Sequence, residues 1–95
     1  MADILILEQS KPLETQAQEI LDFLNKKAGR RYRPVKANLR FIIARLESGA
    51  TLEECKQIIA LKVRQWKDNP DMQEYLRPAT LFNETRFEQY YGQLS

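Results

Sequence analysis

Between residues 51 and 66, apolar side chains recur every three or four positions and fall on one face of a helix. The residues of this stripe are Leu52, Cys55, Ile59, Val63 and Trp66. Such spacing predicts an amphipathic α-helix of about four turns. Thr51 in front of it and Glu54 three residues later have the spacing of a capping box, which places the start of the helix at this point.

Two earlier segments also have helical periodicity. A helix is predicted over residues 15–28, opened by a capping box of Thr15 and Gln18. A second helix follows Pro34, which forces the preceding residue out of the helical region, and it ends at Ser48-Gly49.

The last third of the chain contains two further helix signals. Asn69-Pro70-Asp71 predicts a short helix, since Asn is a good N-cap and Pro fits the first helical position. Pro78 breaks the chain again, and residues 76–82 are expected to be irregular. Asn83 can cap a final helix, whose apolar residues are spaced to dock on the core. They are Phe87, Tyr90, Tyr91 and Leu94.

Ninety-five residues are enough for one domain around a single core. No internal repeat or strand pair appears, so the predicted fold is all-α: a small single-domain bundle of about four helices over residues 14–95, after an irregular N-terminal tail of residues 1–13. The longest purely aliphatic run, residues 4–7, is too short to span a bilayer, and no secretory signal precedes it. A cytoplasmic protein without membrane contact is expected.

The composition disfavours catalysis. The chain has no histidine and one cysteine, so it lacks the usual general base at neutral pH and any thiol or imidazole cluster for zinc. No metal, cofactor or catalytic residue is expected, and the protein is predicted not to be an enzyme. Cys55 lies on the inward stripe of its helix, which favours a buried structural thiol over a reactive one.

Charge is distributed very unevenly along the chain. No acidic residue occurs from Phe23 to Leu46, whereas eight of the fifteen basic residues lie between Lys26 and Arg45. This asymmetry favours an anionic partner, either nucleic acid or an acidic protein surface. The alternative is a solvated helix face whose acidic neighbours come from elsewhere in the fold.

Cations that alternate with aromatic residues can bind phosphates while a ring stacks on a base, as in single-strand binding. The candidate nucleic-acid-binding residues are Lys26, Arg30, Arg31, Arg33, Lys36 and Arg40. Lys36 and Arg40 share a helical face, and the arginines before them belong to the preceding loop. A helix-turn-helix regulator of transcription is disfavoured, because Glu53 and Glu54 at the start of its recognition helix would repel phosphates.

Several motifs resemble the conserved C-terminal domain of phage and prophage replication proteins. They are Glu19 to Asn25, Gly29-Arg30-Arg31-Tyr32-Arg33-Pro34, Lys36 to Leu39, and Tyr75-Leu76-Arg77-Pro78 with Thr80-Leu81-Phe82. The likeness covers about residues 18–91 and extends more loosely to the C-terminal module of DnaD-type primosome proteins. It implies a role in phage DNA replication, with contacts to single-stranded DNA, the replicative helicase or the helicase loader. In that family a winged-helix or replication-organiser region usually precedes the domain. Residues 1–13 contain none, so origin recognition by this chain alone is not expected.

The resemblance also singles out motif or partner residues: Tyr32, Trp66, Tyr75, Arg77 and Phe82. Motif aromatics and prolines beside helix ends are expected to hold loops on the core, and the helical spacing of Trp66 favours core packing. Arg77 is expected either to anchor a helix end or to reach Asp71 or Glu74.

Two functional hypotheses follow. The first is a DNA replication accessory module that binds single-stranded DNA, the replicative helicase or its loader. The alternative is a free-standing protein adapter or inhibitor of the host replication machinery, which docks through the basic face or through the apolar residues 4–7. Homo-oligomerisation is left open by the sequence.

Overall fold

A computed structural model describes residues 11–94, which form five α-helices and one short 3₁₀ helix. In chain order these are α1 (Leu13–Ala28), α2 (Lys36–Glu47), α3 (Leu52–Trp66), the 3₁₀ helix (Gln73–Tyr75), α4 (Pro78–Leu81) and α5 (Glu84–Tyr91). No residue of this part is in a strand, which confirms the all-α prediction. Within the same residues, no helix is both long and apolar enough to cross a membrane. The predictions for residues 1–10, including the apolar run 4–7, lie outside the described residues.

The core forms where α1 packs against both α2 and α3. Four members of the predicted α3 stripe, Leu52, Cys55, Ile59 and Val63, are buried, with at most 8% exposed. Each large aliphatic side chain removed from water in this way stabilises the fold by about 1.5–3 kcal/mol. The α3 stripe therefore faces the core, as its periodicity predicts.

Local signals set several helix ends. The capping box of α3 is complete, because the Glu54 N–H donates to Thr51 Oγ1 (3.1 Å) and the Thr51 N–H donates to Glu54 Oε1 (2.9 Å). Asn83 caps α5 by accepting from the Arg86 N–H (3.1 Å). Gly29 ends α1 in the left-handed conformation (φ 67°), which glycine adopts without steric penalty.

The predicted start of α1 was wrong. The helix begins at Leu13 rather than Thr15, and no side chain caps it. The Gln16 N–H instead donates to the Pro12 carbonyl (3.0 Å), which is already the first bond of the helical ladder. Because that bond forms three residues earlier than the capping box requires, Thr15 and Gln18 lie within the first turns and are exposed. Leu13, assigned to the tail in the sequence analysis, is the first residue of α1.

The connection from α3 to α5 also differs from the prediction. Asn69 Oδ1 accepts from the Asp71 and Met72 N–H groups (3.0 and 3.3 Å), so it closes a turn, and only the 3₁₀ helix follows. A side chain that satisfies these amides locally removes the need for an α-helix. Residues 76–82 contain the one-turn helix α4, with Pro78 at its first position, rather than only irregular chain.

The C-terminal segment, α5 and the residues after it, docks through three of the four predicted residues. Phe87 is buried, and Tyr90 and Leu94 pack against the core in partly buried positions. Tyr91 is 44% exposed, which contradicts its predicted docking. Its hydroxyl interacts with the Glu54 carboxylate, so the ring lies at the surface between α3 and α5.

Candidate nucleic-acid interface

The two signature motifs of the chain meet in space. The Tyr32 hydroxyl donates to the Leu76 carbonyl (3.0 Å), and Arg30 Nη2 donates to the Gln73 carbonyl (2.9 Å). On its other side, Tyr32 exchanges two hydrogen bonds with Asn25: its N–H donates to Oδ1 (2.9 Å) and its carbonyl accepts from Nδ2 (2.8 Å). The loop between α1 and α2 is thus fixed to both α1 and the 3₁₀ segment.

The three arginines of this loop have different environments. Arg31 and Arg33 are exposed, so their guanidinium groups face solvent from a backbone held in place. Arg30 is half-buried, and its Nε is buried without a hydrogen-bond partner among residues 11–94. Since Arg30 already binds the Gln73 carbonyl, its first role is to hold the loop.

The exposed face of α2 continues the loop arginines. Lys36 and Arg40 lie one turn apart, both exposed, and line the same groove as Pro34. The guanidinium carbon of Arg40 is 4.7 Å from the centre of the Phe41 ring, a favourable cation–π contact that restricts the arginine. Asn38 Nδ2 donates to the Arg33 carbonyl (2.9 Å), which ties the first turn of α2 to the loop. We refer to Arg31, Arg33, Lys36 and Arg40 as the basic surface.

Among residues 11–94, no carboxylate forms an ion pair with the basic surface. Within residues 11–94 the ion pairs are Lys11 with Glu19 (3.2 Å) and Lys56 with Glu19 (2.9 Å). Glu19 accepts a hydrogen bond from Lys56, which lowers the pKa of its carboxyl group despite partial burial. The first turn of α2 contains no acidic residue, so its N-terminal N–H groups add positive potential beside Lys36.

Lys26 lies apart from the basic surface. It lines a separate depression of about 210 Å³ together with Glu19, Asp22, Phe23 and Lys56. Lys56 and Lys27 lie 5.8 and 5.5 Å from the centre of the Phe23 ring. Carboxylates and cations are mixed around this depression, so of the six predicted residues Lys26 has the least favourable setting for a phosphate.

The motif residues Tyr75 and Arg77 flank the contact between Tyr32 and Leu76. The Arg77 guanidinium carbon is 5.2 Å from the centre of the Tyr75 ring, and its Nε donates to Thr80 Oγ1 (2.9 Å) in the first turn of α4. Arg77 therefore anchors a helix end, and it forms no ion pair with a carboxylate anywhere in the described chain.

The remaining two motif residues are structural. Trp66 is partly buried and packs edge to face on Tyr90, with ring centres 5.9 Å apart and planes at 83°. Phe82 is 1% exposed and stacks on Phe87 at 5.9 Å. A partner cannot reach Phe82 in this conformation.

Lys62 is a buried cation that the sequence analysis missed. It is 4% exposed, and its Nζ donates to Gln65 Oε1 (2.9 Å) and Gln93 Oε1 (3.0 Å). The rings of Tyr90 and Trp66 lie 4.2 and 5.1 Å from the same nitrogen. Burial lowers the pKa of Lys62, and the amides and rings compensate for the lost water. The sequence did contain a signal for this burial, because Lys62 lies three residues after Ile59 on the inward stripe of α3.

Arg45 belongs to the basic stretch but lies in a different pocket. This pocket of about 220 Å³ is lined by Arg45, Glu54, Glu88 and Tyr91, and Arg45 Nε is buried without a hydrogen-bond partner. Burial tends to raise the pKa of Glu54, but its hydrogen bonds with Thr51 and Tyr91 outweigh this and leave the pKa lowered. The bond to Glu54 raises the pKa of Tyr91. The pocket thus presents both signs of charge.

Fold and surface together define a small helical domain with a fixed cationic face. Residues 20–92 match the family described as conserved phage C-terminus, and this range includes the whole basic surface. The chain therefore belongs to the conserved phage C-terminus family. Searches among curated proteins and among solved structures returned no match. The predicted resemblance is therefore confirmed as far as membership of a conserved phage domain family.

Proposed function

We propose that this domain is a non-enzymatic accessory module of phage or prophage DNA replication, and that its basic surface binds single-stranded DNA. The observation that carries the proposal is the set of four exposed cations without an ion pair among the described residues, held on a fixed loop and an adjoining helix face. Such a surface attracts the phosphates of a nucleic acid, because its cations replace the counterions condensed on them. The replication setting, with the replicative helicase or its loader as protein partner, is supported by the motif resemblance and by the phage family.

Single strands fit this surface better than a duplex. The ring of Tyr32, which lies between Arg31 and Arg33 in the loop, is half-buried, so part of it is open to contact with an unstacked base. A duplex reader needs a helix whose N-terminal residues enter the major groove. The best-placed candidate, α3, begins with the exposed Glu53 and the capping Glu54.

The proposal is tested by measuring the affinity for a fluorescent oligothymidylate over a series of salt concentrations. If four phosphates are neutralised, log affinity falls against log salt with a slope of about −2.8, since each phosphate on a single strand contributes about 0.7. The double variant Arg31→Glu/Lys36→Glu should lose most of the binding. A flat salt response overturns the proposal.

The matched control is Arg64→Glu/Lys67→Glu, which makes the same change in net charge at two exposed positions around the end of α3. It should retain most of the affinity, because these residues lie outside the basic surface. Equal losses in both double variants would show that net charge, and not this surface, controls binding.

A protein adapter or inhibitor of the host replication machinery is the second candidate. It is favoured by Tyr91, whose exposed ring borders the Arg45 pocket of mixed charge. Exposed tyrosine and arginine are common centres of protein interfaces. A pull-down from bacterial lysate should recover the replicative helicase or its loader with the wild-type domain and not with Tyr91→Ala. Recovery of neither protein contradicts this candidate.

A further inference from the structure

The outer face of α2 carries an ordered row of side chains. Residues three or four apart share one face of a helix, and this row consists of Lys36, Arg40, Ile43 and Glu47. Its members line a groove of about 470 Å³ together with Glu14 from the first turn of α1. The charged members are exposed and Ile43 is partly exposed, so the whole row is open to a partner. We refer to these four residues of α2 as the α2 row.

The two signs of charge lie at opposite ends of the α2 row. Glu47 follows Lys36 after about 16.5 Å of helix, at 1.5 Å per residue. Arg40 is about 10.5 Å from Glu47 along the axis, so the row cannot form an ion pair within its own helix. Its charges form no ion pair with any other of residues 11–94 either. The row therefore has a cationic and an anionic end, and both are available to a partner.

Other features of the groove strengthen this polarity. Because α1 and α2 pack on each other and are joined by a short loop, the start of α1 lies toward the end of α2. Glu14 thus adds a second carboxylate at the anionic end, beside Glu47.

Exposed apolar side chains accompany both ends. Only three large apolar side chains of residues 11–94 are exposed, and two of them adjoin groove residues in sequence. Leu13, 37% exposed, precedes Glu14, and Val35, 38% exposed, precedes Lys36. Apolar surface that collects in one place marks an interaction site more than scattered residues do.

The α2 row is complementary to itself in the antiparallel orientation. When two copies of α2 lie side by side in opposite directions about a two-fold axis, Lys36 comes level with the partner's Glu47. Arg40 comes level with the partner's Ile43, so the aliphatic stem of the arginine can cover the isoleucine. The two-fold axis repeats both contacts, and an isologous pair of this kind is closed after two copies. A parallel pair would instead place lysine on lysine and glutamate on glutamate.

We infer that two copies of this chain form a homodimer in which their α2 rows pair antiparallel. The contact is small and contains few apolar side chains, so the dimer is weak and forms reversibly as the protein concentration rises. Lys36 and Arg40 also belong to the basic surface. A second copy and single-stranded DNA therefore compete for them, a consequence that rests on the proposed function.

A charge exchange between the two ends of the row tests the dimer. Sedimentation equilibrium of the full-length wild type should show an average mass that rises with concentration toward that of two chains. Lys36→Glu or Glu47→Lys alone turns both ion pairs into like-charged pairs, which should raise the dimer dissociation constant at least about tenfold. An equimolar mixture of the two variants should dimerise again, because each pair then joins a cation and a carboxylate.

Three outcomes overturn the inference. They are a wild type that stays monomeric at every concentration, single variants that dimerise as the wild type does, and a mixture that stays monomeric while the wild type dimerises. Unfolding does not explain a loss of the dimer, because an acid in the first turn of α2 and a cation in its last turn both suit the helix dipole. Circular dichroism of each variant checks this point.

The matched controls are Arg64→Glu and Glu53→Lys. They make the same two changes in net charge at exposed positions of α3, outside the α2 row. Each should dimerise as the wild type does. An equal loss in these variants would mean that net charge, and not the α2 row, controls association, which also overturns the inference.

Oligothymidylate separates this inference from the proposed function. If the mixed variants dimerise but the wild type does not bind the oligonucleotide, the interface stands and the proposed function fails. If the wild type binds the oligonucleotide but never dimerises, the interface fails and the proposed function stands.

The competition has its own readout, the ¹⁵N-amide signal of Glu47, a residue of the interface that lies outside the basic surface. Dimerisation should shift this signal, and excess oligothymidylate should return it to its position in dilute protein. A signal that stays at the dimer position while the oligonucleotide binds refutes the competition.

Discussion

Tyr32→Phe removes one oxygen atom from the point where the two signature motifs meet. The lost hydroxyl donates to the carbonyl of Leu76, a residue that is 1% exposed, and no other hydrogen bond to this carbonyl occurs in the described chain. A hydrogen bond of this kind contributes about 0.5–1.5 kcal/mol, and a buried acceptor left without a partner costs about 1–3 kcal/mol. Because Tyr32 itself is only half-buried, water can reach part of the site, and we expect a loss of about 1.5 kcal/mol in the free energy of unfolding.

Urea and thermal unfolding followed by circular dichroism measure this loss. For a domain of this size, each kcal/mol lowers Tm by about 4–8 °C, so Tyr32→Phe should lower Tm by about 6–12 °C. The dependence of the free energy on urea concentration should stay the same, since the surface exposed on unfolding does not change.

Tyr75→Phe is the matched control. The Tyr75 ring is also half-buried in the same region, but its hydroxyl makes no hydrogen bond with any described residue. Its effect on the free energy of unfolding should stay within about 0.5 kcal/mol. Equal stability of Tyr32→Phe and the wild type, or an equal loss in both variants, would refute the assigned role of the bond to Leu76.

Three further predictions concern other parts of the fold. Thr51→Ala removes the N-cap of α3 and should reduce the free energy of unfolding by about 1 kcal/mol, measured by urea titration; an unchanged value would contradict the capping box. Cys55 should resist iodoacetamide in the native state and react after unfolding, because burial raises its thiol pKa to about 12; rapid native alkylation would refute the burial. Burial also lowers the pKa of Lys62 in the folded state below the ordinary 10.5. At pH values between the folded-state pKa and 10.5, the unfolded chain therefore binds more protons than the folded chain. In that alkaline window the free energy of unfolding of the wild type should therefore rise with pH relative to Lys62→Met, and parallel pH curves would contradict the shift.

The parts of the fold that sequence predicted well depend on interactions between near neighbours. The stripe of α3 and its capping box involve residues three or four apart, and so does the Asn83 cap. The start of α1 was wrong because Pro12 and Gln16 form the first helical bond ahead of the expected cap. Residues 76–82 were misjudged because their order comes from distant contacts, such as the bond between Tyr32 and Leu76.

The same distinction applies to the candidate site. The basic surface was predictable because its four residues lie close together along the chain, in one loop and one helix turn. Lys26 was assigned to it from the linear pattern, whereas in the fold Lys26 lines a separate depression together with Asp22 and Glu19. The surroundings of Arg45 and Lys62 depend on residues from α5 and the segment after it, and no local pattern in the sequence specifies those partners.

The hydrogen bonds that fix the basic loop also set the order in which the domain is completed. They join residues 43 and 44 positions apart, whereas α1, α2 and α3 follow one another closely and can pack first. Closing such long loops carries an entropic cost, so the segment around Leu76 should dock late in folding. During synthesis the four cations leave the ribosome well before the carbonyl of Leu76. A nascent or truncated chain therefore carries the charges without a fixed arrangement until the C-terminal third is complete.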